Sequence, residues 1–343
     1  MTQTLDQMLG IGDLDELLRE IDRRCDIRDW DGVDEVRRRS RAAIERGHQL
    51  WPAASYAEYR LALDAPEPAA AAVITESSGW MAPGPLTEVV AQHHDWVGIG
   101  PELDQGAHRS VVAQERVLRG EVVPDTDAGE LPGRLAGWEP DYQLAEYRPQ
   151  GGRCPAPKLE VPHDELDLGG GGAGRGGTDD EDTRPGTQAL ADAVRHWASR
   201  SNGSVRAAGV TGDHATALAA LGLSRVRTRT ASLQEFGALL GWAASDGGAH
   251  GRRRGAAAGR LELWWCLAAL TGLDDDWPDD PGGPASELRF GLWLPADAVI
   301  GWSCRLWVED PVDGLAWALD ASDHPDISTG VDQVPTGPST RSV

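Results

Sequence analysis

Residues 247–273, GGAHGRRRGAAAGRLELWWCLAALTGL, join a glycine-rich basic loop to a helix that is apolar around almost its whole circumference. The loop carries His250 and three consecutive arginines, Arg252, Arg253 and Arg254. A helix that lacks a polar face is buried on most of its sides. The sequence therefore predicts that the loop is anchored to the middle of a core, which makes it the first place to look for a functional site.

The segments around this helix alternate between helical and strand patterns. Helices are predicted at 188–200 and 213–221, and strands at 204–210 and 223–231. Ser232 and Glu235 form a capping box that opens a further helix. Three later segments, within 288–294, 302–308 and 315–319, alternate apolar with other residues and are separated by turn-forming sequences. This pattern is typical of an antiparallel meander with one buried face.

The N-terminal half has helical periodicity. Helices are predicted at 13–25, with Asp13 as the cap, at 31–47, and after Trp51, where Pro52 suits the first helical position. Residues 69–75 fit either a short helix or a strand, and two further helices are predicted from Pro85 to Trp96 and over 110–120. These short-linked helices indicate a mainly helical half.

Composition divides the chain into four parts. Residues 122–168 are rich in proline and predicted to be extended, and residues 169–187, GGGGAGRGGTDDEDTRPGT, cannot bury enough apolar surface to offset the entropy of ordering. We predict a mainly helical domain at 1–148, a Pro/Gly-rich and acidic, largely disordered linker at 149–187, an α+β domain at 188–325 and a disordered tail at 326–343. The fold class is α+β, with a mainly helical N-terminal half and a C-terminal module of helices packed on a small, partly antiparallel sheet.

Charge and cysteine content restrict the environment and the partners. The net charge of -23 repels nucleic acid and anionic lipid, so neither is expected as a partner. No apolar window is long enough to span a membrane, and the N-terminus lacks the pattern of a signal peptide. The four cysteines are isolated, without metal-ligand spacing. The sequence predicts an acidic cytoplasmic protein without a cofactor or metal.

Four segments resemble a known family. They are QLWPAASYAEYRLAL at 49–63, SNG at 201–203, GGAHGRRRGAAAGR at 247–260 and VEDPVDGLAWALDASD at 308–323. Together they resemble a family of bacterial proteins known as a domain of unknown function, and the similarity covers most of the chain apart from the linker and the tail. The resemblance implies no activity, fold or ligand, and it supplies no functional residue.

Two groups of arginines are the strongest candidates for a binding site. Period-two alternation places Arg225, Arg227 and Arg229 on one face of the strand at 223–231. The second group is the loop with Arg252, Arg253 and Arg254, in which His250 is a candidate acid–base residue. Guanidinium groups bind phosphate or carboxylate in a bidentate manner. The alternative is that these arginines pair with the abundant acidic residues of the protein itself.

No motif in the sequence assigns a reaction. There is no phosphate-binding loop, no zinc-protease motif and no serine or cysteine nucleophile signature, so no catalytic residue is assigned. The run of aspartates at 274–280 lacks the spacing of a calcium loop. The fourteen tryptophans lie mostly at periodic positions, which indicates core packing.

The sequence favours a non-catalytic binding or scaffold protein that contacts a protein partner through its helical half. An uncovered apolar patch on that half would support this hypothesis. The alternative is binding of a phosphorylated or otherwise anionic small molecule at the arginines of the C-terminal domain, provided that the two groups converge on one concavity. Catalysis at that site is an extension of the alternative, and whether the protein is an enzyme stays open.

Overall fold

The computed structural model describes residues 4–76, 79, 81–169, 181–296 and 301–324. The N-terminal half is mainly helical, as predicted, and contains nine α-helices among these residues. They are α1 (Leu5–Ile11), α2 (Leu14–Asp26), α3 (Trp30–Glu45), α4 (Trp51–Asp64), α5 (Glu67–Glu76), α6 (Leu86–His93), α7 (Trp96–Ile99), α8 (Ala107–Leu118) and α9 (Asp125–Ala128). Asp13 caps α2 by accepting a bond from the backbone of Glu16, and the stretch at 69–75 proves to be helical.

Helix α4 is the centre of the helical half, because it packs against α2, α3, α5 and α6. Its alanines Ala53, Ala57 and Ala62 are fully buried, and such small side chains let neighbouring helices approach closely. Tyr59 is also buried, and its hydroxyl donates to the carbonyl of Arg148, 2.5 Å away. The helices therefore form one core with the chain that follows them.

Two short strands follow the helical half, β1 (Glu146–Arg148) and β2 (Gly151–Arg153), which pair as a hairpin. A third, β3 (Asp164–Asp167), joins the main sheet, and helix α10 (Arg184–Arg200) begins soon after it. Two strands and the start of a helix therefore lie within the predicted linker at 149–187. Local composition could not indicate β3, because its stability comes from hydrogen bonds to a strand about sixty residues later along the chain, at Arg225–Ala231.

The C-terminal half is built on a six-stranded sheet. The strands after β3 are β4 (Ser204–Thr211), β5 (Arg225–Ala231), β6 (Arg289–Pro295), β7 (Trp302–Asp310) and β8 (Leu315–Asp323). Their order is β3-β5-β6-β7-β8-β4, and every described pair is antiparallel. The predicted meander is β6-β7-β8, so the α+β class is confirmed, with a sheet more uniformly antiparallel than expected.

Helices cover both faces of this sheet. Helices α10, α12 (Leu233–Ser245) and α13 (Ala256–Leu270) pack on one face, against Leu292, Leu306, Leu319 and their neighbours. Helix α11 (His214–Ala220) packs on the other face, and the short α14 (Gly282–Ala285) follows α13. The predicted capping box of Ser232 and Glu235 opens α12, with both of its hydrogen bonds present.

Helix α13 joins the two halves of the molecule. Leu263, Cys266 and Leu267 are fully buried on the side of the sheet, and the start of the helix contacts α8 of the helical half. The prediction that this helix is buried is confirmed. Among the described residues, none of the helices is both long enough and apolar enough to cross a membrane. The residues predicted to form a disordered tail, 326–343, lie outside the described residues, as do 170–180.

Candidate ligand pocket and the arginine clusters

Arg253 occupies a buried position between the two halves. Its Nε and Nη2 donate to the two carboxylate oxygens of Glu88 on α6, at 2.8 and 2.7 Å, and its Nη1 donates to Ser245 at 3.2 Å. Its side chain is 8% exposed and that of Glu88 is fully buried. The bidentate pairing that suits an anionic ligand is therefore made to a carboxylate of the protein itself.

Two carboxylates from the helical half meet the first turn of α13. The backbone N–H of Ala256 donates to Glu88 at 3.2 Å, and that of Ala257 donates to Glu115 on α8 at 2.8 Å. Free N–H groups at a helix N-terminus favour negative charge. The preceding Gly255, with φ at 102°, lets the chain turn into the helix. The start of α13 is thus capped by groups from the other half.

The pKa values of these two acids are shifted in opposite directions. Burial favours the neutral form of Glu88, but the charge of Arg253 and its hydrogen bonds hold the pKa of Glu88 below its usual value. Burial, together with the charge of Glu88, raises the pKa of Glu115 to about 7, although Arg119 donates to it at 2.8 Å. The hydroxyl of Tyr147 also donates to Glu88, at 2.6 Å.

The other predicted residues of the loop lie nearer the surface. Arg252 is exposed and donates to the carbonyl of Gly79. Arg254 donates to Glu262 at 2.7 Å and to a backbone carbonyl of α12. His250 is exposed, and its backbone N–H donates to the hydroxyl of Ser201 at 2.9 Å. Every arginine of the loop therefore bonds to an acceptor within the protein.

Arg260, which lies one turn further along α13, was not among the predicted site residues. It is fully buried, and its Nε and Nη2 donate to the carboxylate of Glu139 at 2.8 and 2.7 Å. The remaining N–H groups donate to Gln114 and to the carbonyls of Pro132 and Arg134. An arginine inside a largely apolar helix was the signal that could have revealed this site, because a buried guanidinium requires a full set of acceptors.

The strand arginines share one face of β5, on the side of α12. Arg229 is 8% exposed and donates to Glu235 at 2.7 Å and to the carbonyl of Glu160 at 2.9 Å. The Nε of Arg227 is buried and has no described hydrogen-bond partner, whereas Arg225 is exposed. Val226 points to the opposite face and is fully buried. No described hydrogen bond or ion pair joins this group to the loop arginines.

A cavity opens where β6 and β7 separate. Their ladder ends at the pair Leu292 and Leu306, although β6 continues to Pro295 alongside β5, and β7 begins at Trp302 alongside β8. The cavity has a volume of about 610 Å³. Its apolar lining comes from the two strands, from α12 and from the segment before β3: Cys154, Ala156, Pro157, Leu159, Val161, Pro162, Leu239, Trp242, Leu292, Trp293, Leu294 and Trp302. We call it the sheet pocket.

Arg305, Ser303 and the exposed Glu160 are polar groups on the wall of the sheet pocket. The Nε of Arg305 donates to Asp320 at 2.9 Å, and its guanidinium lies 5.5 Å from the ring centre of Trp293. Asp320 also accepts from Arg206, so that two cations share one carboxylate. The hydroxyl of Ser303 has no described hydrogen-bond partner. On the strand beside the pocket, Arg227 pairs in register with Leu294, which brings one predicted site residue next to it.

Cys154 is the accessible thiol of the described chain. Cys25, Cys266 and Cys304 are buried, whereas Cys154 is half-buried at the wall of the sheet pocket. Burial raises the pKa of Cys154 to about 11, so the thiol stays protonated at neutral pH. A thiol in this state is a weak nucleophile, but it can report on access to the pocket.

The helical half carries a smaller depression of about 260 Å³. It is lined mainly by apolar and aromatic side chains, including Leu18, Pro52, Tyr56, Met81 and Pro83. Met81 is 52% exposed. We call it the helical groove, and it is a patch of the kind that partner-binding surfaces require.

Within the described ranges, no three residues of the types His, Cys, Asp and Glu are grouped to hold a metal ion. Fold and site together define an α+β protein in which a helical half contacts α13, and α13 packs on a six-stranded sheet with a pocket of ligand size between two of its strands. The model of a family of unknown function, DUF6183, matches residues 15–307, and the chain belongs to that family. No curated protein and no solved structure matches the chain.

Proposed function

We propose that the protein is a non-catalytic binding protein, and that the sheet pocket holds a small molecule with an apolar body and one anionic group. The observation that carries this proposal is the separation of β6 and β7, which opens a cavity of about 610 Å³ inside an otherwise continuous sheet. Pockets for small molecules commonly measure ~300–1,000 Å³ and combine apolar walls with a few polar groups.

The buried charge of Arg305 favours an anionic group on the ligand, whereas the carboxylate of Glu160 at the same pocket is exposed to solvent. Arg206 and Arg305 share the single carboxylate of Asp320, which leaves one positive charge without a partner of its own. Arg305 is 7% exposed, and a charge in such a position interacts more strongly with a ligand than one in bulk water. The free hydroxyl of Ser303 can donate to the same anion.

The proposed anion site lies at the sheet pocket and not at the arginine clusters predicted from the sequence. Arg229, Arg253 and Arg254 already bond to carboxylates of the protein, which disfavours them as a clamp. Binding is favoured over catalysis because the one thiol at the pocket is protonated at neutral pH. The net charge of -23 supports the absence of nucleic-acid partners, and four free cysteines support a reducing, cytoplasmic location.

The experiment combines thermal shift with labelling of Cys154 by a thiol reagent. A panel of aromatic and aliphatic carboxylates, organic phosphates and their neutral analogues is tested. A ligand in the sheet pocket, at a concentration about one hundred times its dissociation constant, stabilises the folded protein by roughly 2.7 kcal/mol. The same ligand shields Cys154 from the reagent. We expect Arg305→Met to lose the shift for the anionic compounds, while Arg289→Met, on the same sheet but outside the pocket, keeps it.

A second variant separates loss of charge from loss of the pocket. Leu239→Trp fills the cavity from α12, and we expect it to abolish both the shift and the protection of Cys154 for every ligand. The proposal fails if no compound protects Cys154 in the wild type, or if protection survives the filling of the pocket.

The second candidate function is binding of a protein partner through the helical half. The helical groove supports it, because Met81 is 52% exposed beside apolar neighbours that are half-buried. We expect chemical cross-linking in the source cells to join a partner to the wild type and to Val312→Glu, but not to Met81→Glu. Val312 is 76% exposed and lies outside the groove. Recovery of the same partner with all three proteins would reject this surface.

A further inference from the structure

The outer side of α13 exposes aromatic and aliphatic groups. Leu261 and Trp265, one turn apart on the same side of the helix, are 41% and 36% exposed. The ring of Trp265 meets that of Trp277 edge-on, with 5.4 Å between the ring centres. We call the surface formed by Leu261, Trp265 and Trp277 the Trp265 face. Large apolar groups clustered in this way on an exposed helix are typical of binding surfaces.

The chain around this face is purely acidic. Residues 261–288 contain no lysine, arginine or histidine, and they contain seven acidic residues, Glu262, Asp274, Asp275, Asp276, Asp279, Asp280 and Glu287. The side chains of Asp274, Asp275, Asp276 and Asp279 form no hydrogen bond or ion pair with a described residue. The loop arginines, in contrast, all have acceptors. Like charges left unneutralised on one loop repel each other.

We propose that the Trp265 face binds a basic amphipathic segment of a partner protein. The apolar stripe of that segment covers Leu261, Trp265 and Trp277, and its lysines or arginines lie over the aspartates at 274–279. This mode of recognition uses apolar anchors at helical spacing, with complementary charge that steers the encounter. The tryptophans supply most of the affinity, because aromatic anchors dominate interfaces.

A second copy of the chain and a metal ion are both less suitable occupants of this face. A second copy of the chain would bring the same acidic loop, or another surface of a protein with a net charge of -23, against these aspartates. A metal ion is disfavoured because none of the described acidic residues are grouped closely enough to hold one. A basic segment satisfies both the apolar face and the charges.

The experiment is a fluorescence anisotropy titration of the full chain with a labelled lysine–leucine peptide. The peptide has about 14 residues, enough for four helical turns, with leucines at positions i, i+3, i+4 and i+7. A second peptide has the same composition in an order without helical periodicity. We expect the amphipathic peptide to bind more tightly than the second peptide. Its binding should weaken as the salt concentration is raised.

Two variants with the same change in charge locate the site. The first replaces Asp274, Asp275, Asp276 and Asp279 by asparagine. The second removes four exposed acids elsewhere, through Asp15→Asn, Glu102→Gln, Asp104→Asn and Asp313→Asn. We expect the first to weaken binding about tenfold and the second to change it less than about twofold. The pair Leu261→Ser and Trp265→Ser, which keeps every charge, is expected to abolish the preference for the amphipathic peptide.

The proposal is overturned if the two charge variants weaken binding equally, because binding would then follow net charge alone. It is also overturned if both peptides bind equally well to the wild type, or if neither binds. Circular dichroism checks that each variant is folded, which we expect because all of the substituted side chains except that of Asp274 are exposed.

Discussion

At the scale of single residues, Glu88 and Glu115 show how neighbours set protonation. Both are buried and both accept from the first turn of α13. Glu88 receives two hydrogen bonds from Arg253, whereas Glu115 receives one from Arg119 and feels the charge of Glu88. Two adjacent buried carboxylates resist being ionised together, so the better-paired one keeps the charge.

Glu115→Gln is expected to flatten the dependence of stability on pH. The pKa of Glu115 is higher in the folded chain, about 7, than the ~4.3 of an exposed glutamate, so unfolding releases a proton between these values. The contribution of Glu115 to the free energy of unfolding is complete below the pKa of the unfolded chain, and it is lost as the pH rises through the pKa of the folded chain. The wild type should therefore lose up to about 1 kcal/mol per pH unit more than the variant between pH 5 and 7.

The measurement is urea unfolding across pH 5 to 8. Glu102→Gln, on the surface, is the control and should keep the slope of the wild type. Glu88 does not interfere, because its pKa is lowered and its contribution is lost only at a more acidic pH. Equal slopes for wild type and Glu115→Gln would show that Glu115 is ionised throughout this range.

At the scale of elements, α13 depends on the pair Arg260 and Glu139. We expect Arg260→Met to destabilise the protein by about 3–5 kcal/mol, because a buried carboxylate loses its partner. The double variant with Glu139→Gln should recover part of that loss, since the uncompensated charge is then gone. Chemical denaturation measures both, and Arg200→Met, at the exposed end of α10, should change stability by less than about 0.5 kcal/mol. A double variant no more stable than the single one would assign the loss to packing.

Most helices and strands could be predicted from the sequence because their signals are local. The caps at Asp13 and Ser232 and the alternation in β5 each lie within a few residues of the structure they specify. β3 and the partners of Arg260 could not be predicted, because they depend on residues far away along the chain. The sheet pocket was missed for the same reason, since it arises where two well-predicted strands stop pairing.

At the scale of the whole molecule, the two predicted domains share buried polar contacts. Arg253 with Glu88, Arg260 with Glu139, and Ala257 with Glu115 all cross between the halves. Separation of the halves would break these contacts and expose the surfaces that bury them to water, so we expect each half to stabilise the other. The division into domains at 1–148 and 188–325 stays a prediction. We expect the two parts to unfold together rather than independently.

We expect the protein to unfold in a single cooperative transition. Calorimetry should give a ratio of calorimetric to van't Hoff enthalpy of about 1 for the wild type. Combined Glu88→Gln and Glu139→Gln should weaken the contact and resolve two transitions, whereas Glu102→Gln should leave one. Two transitions in the unmodified protein would mean that the buried pairs do not couple the halves.

The distance along the chain between these partners has a consequence for biosynthesis. Glu88 and Arg253 are 165 residues apart. At a translation rate of about 5–20 residues per second, the ribosome makes the arginine roughly 8–33 s after the glutamate. During that interval the nascent helical half must keep its acids hydrated rather than buried, so its final compaction waits for the glycine-rich loop to emerge.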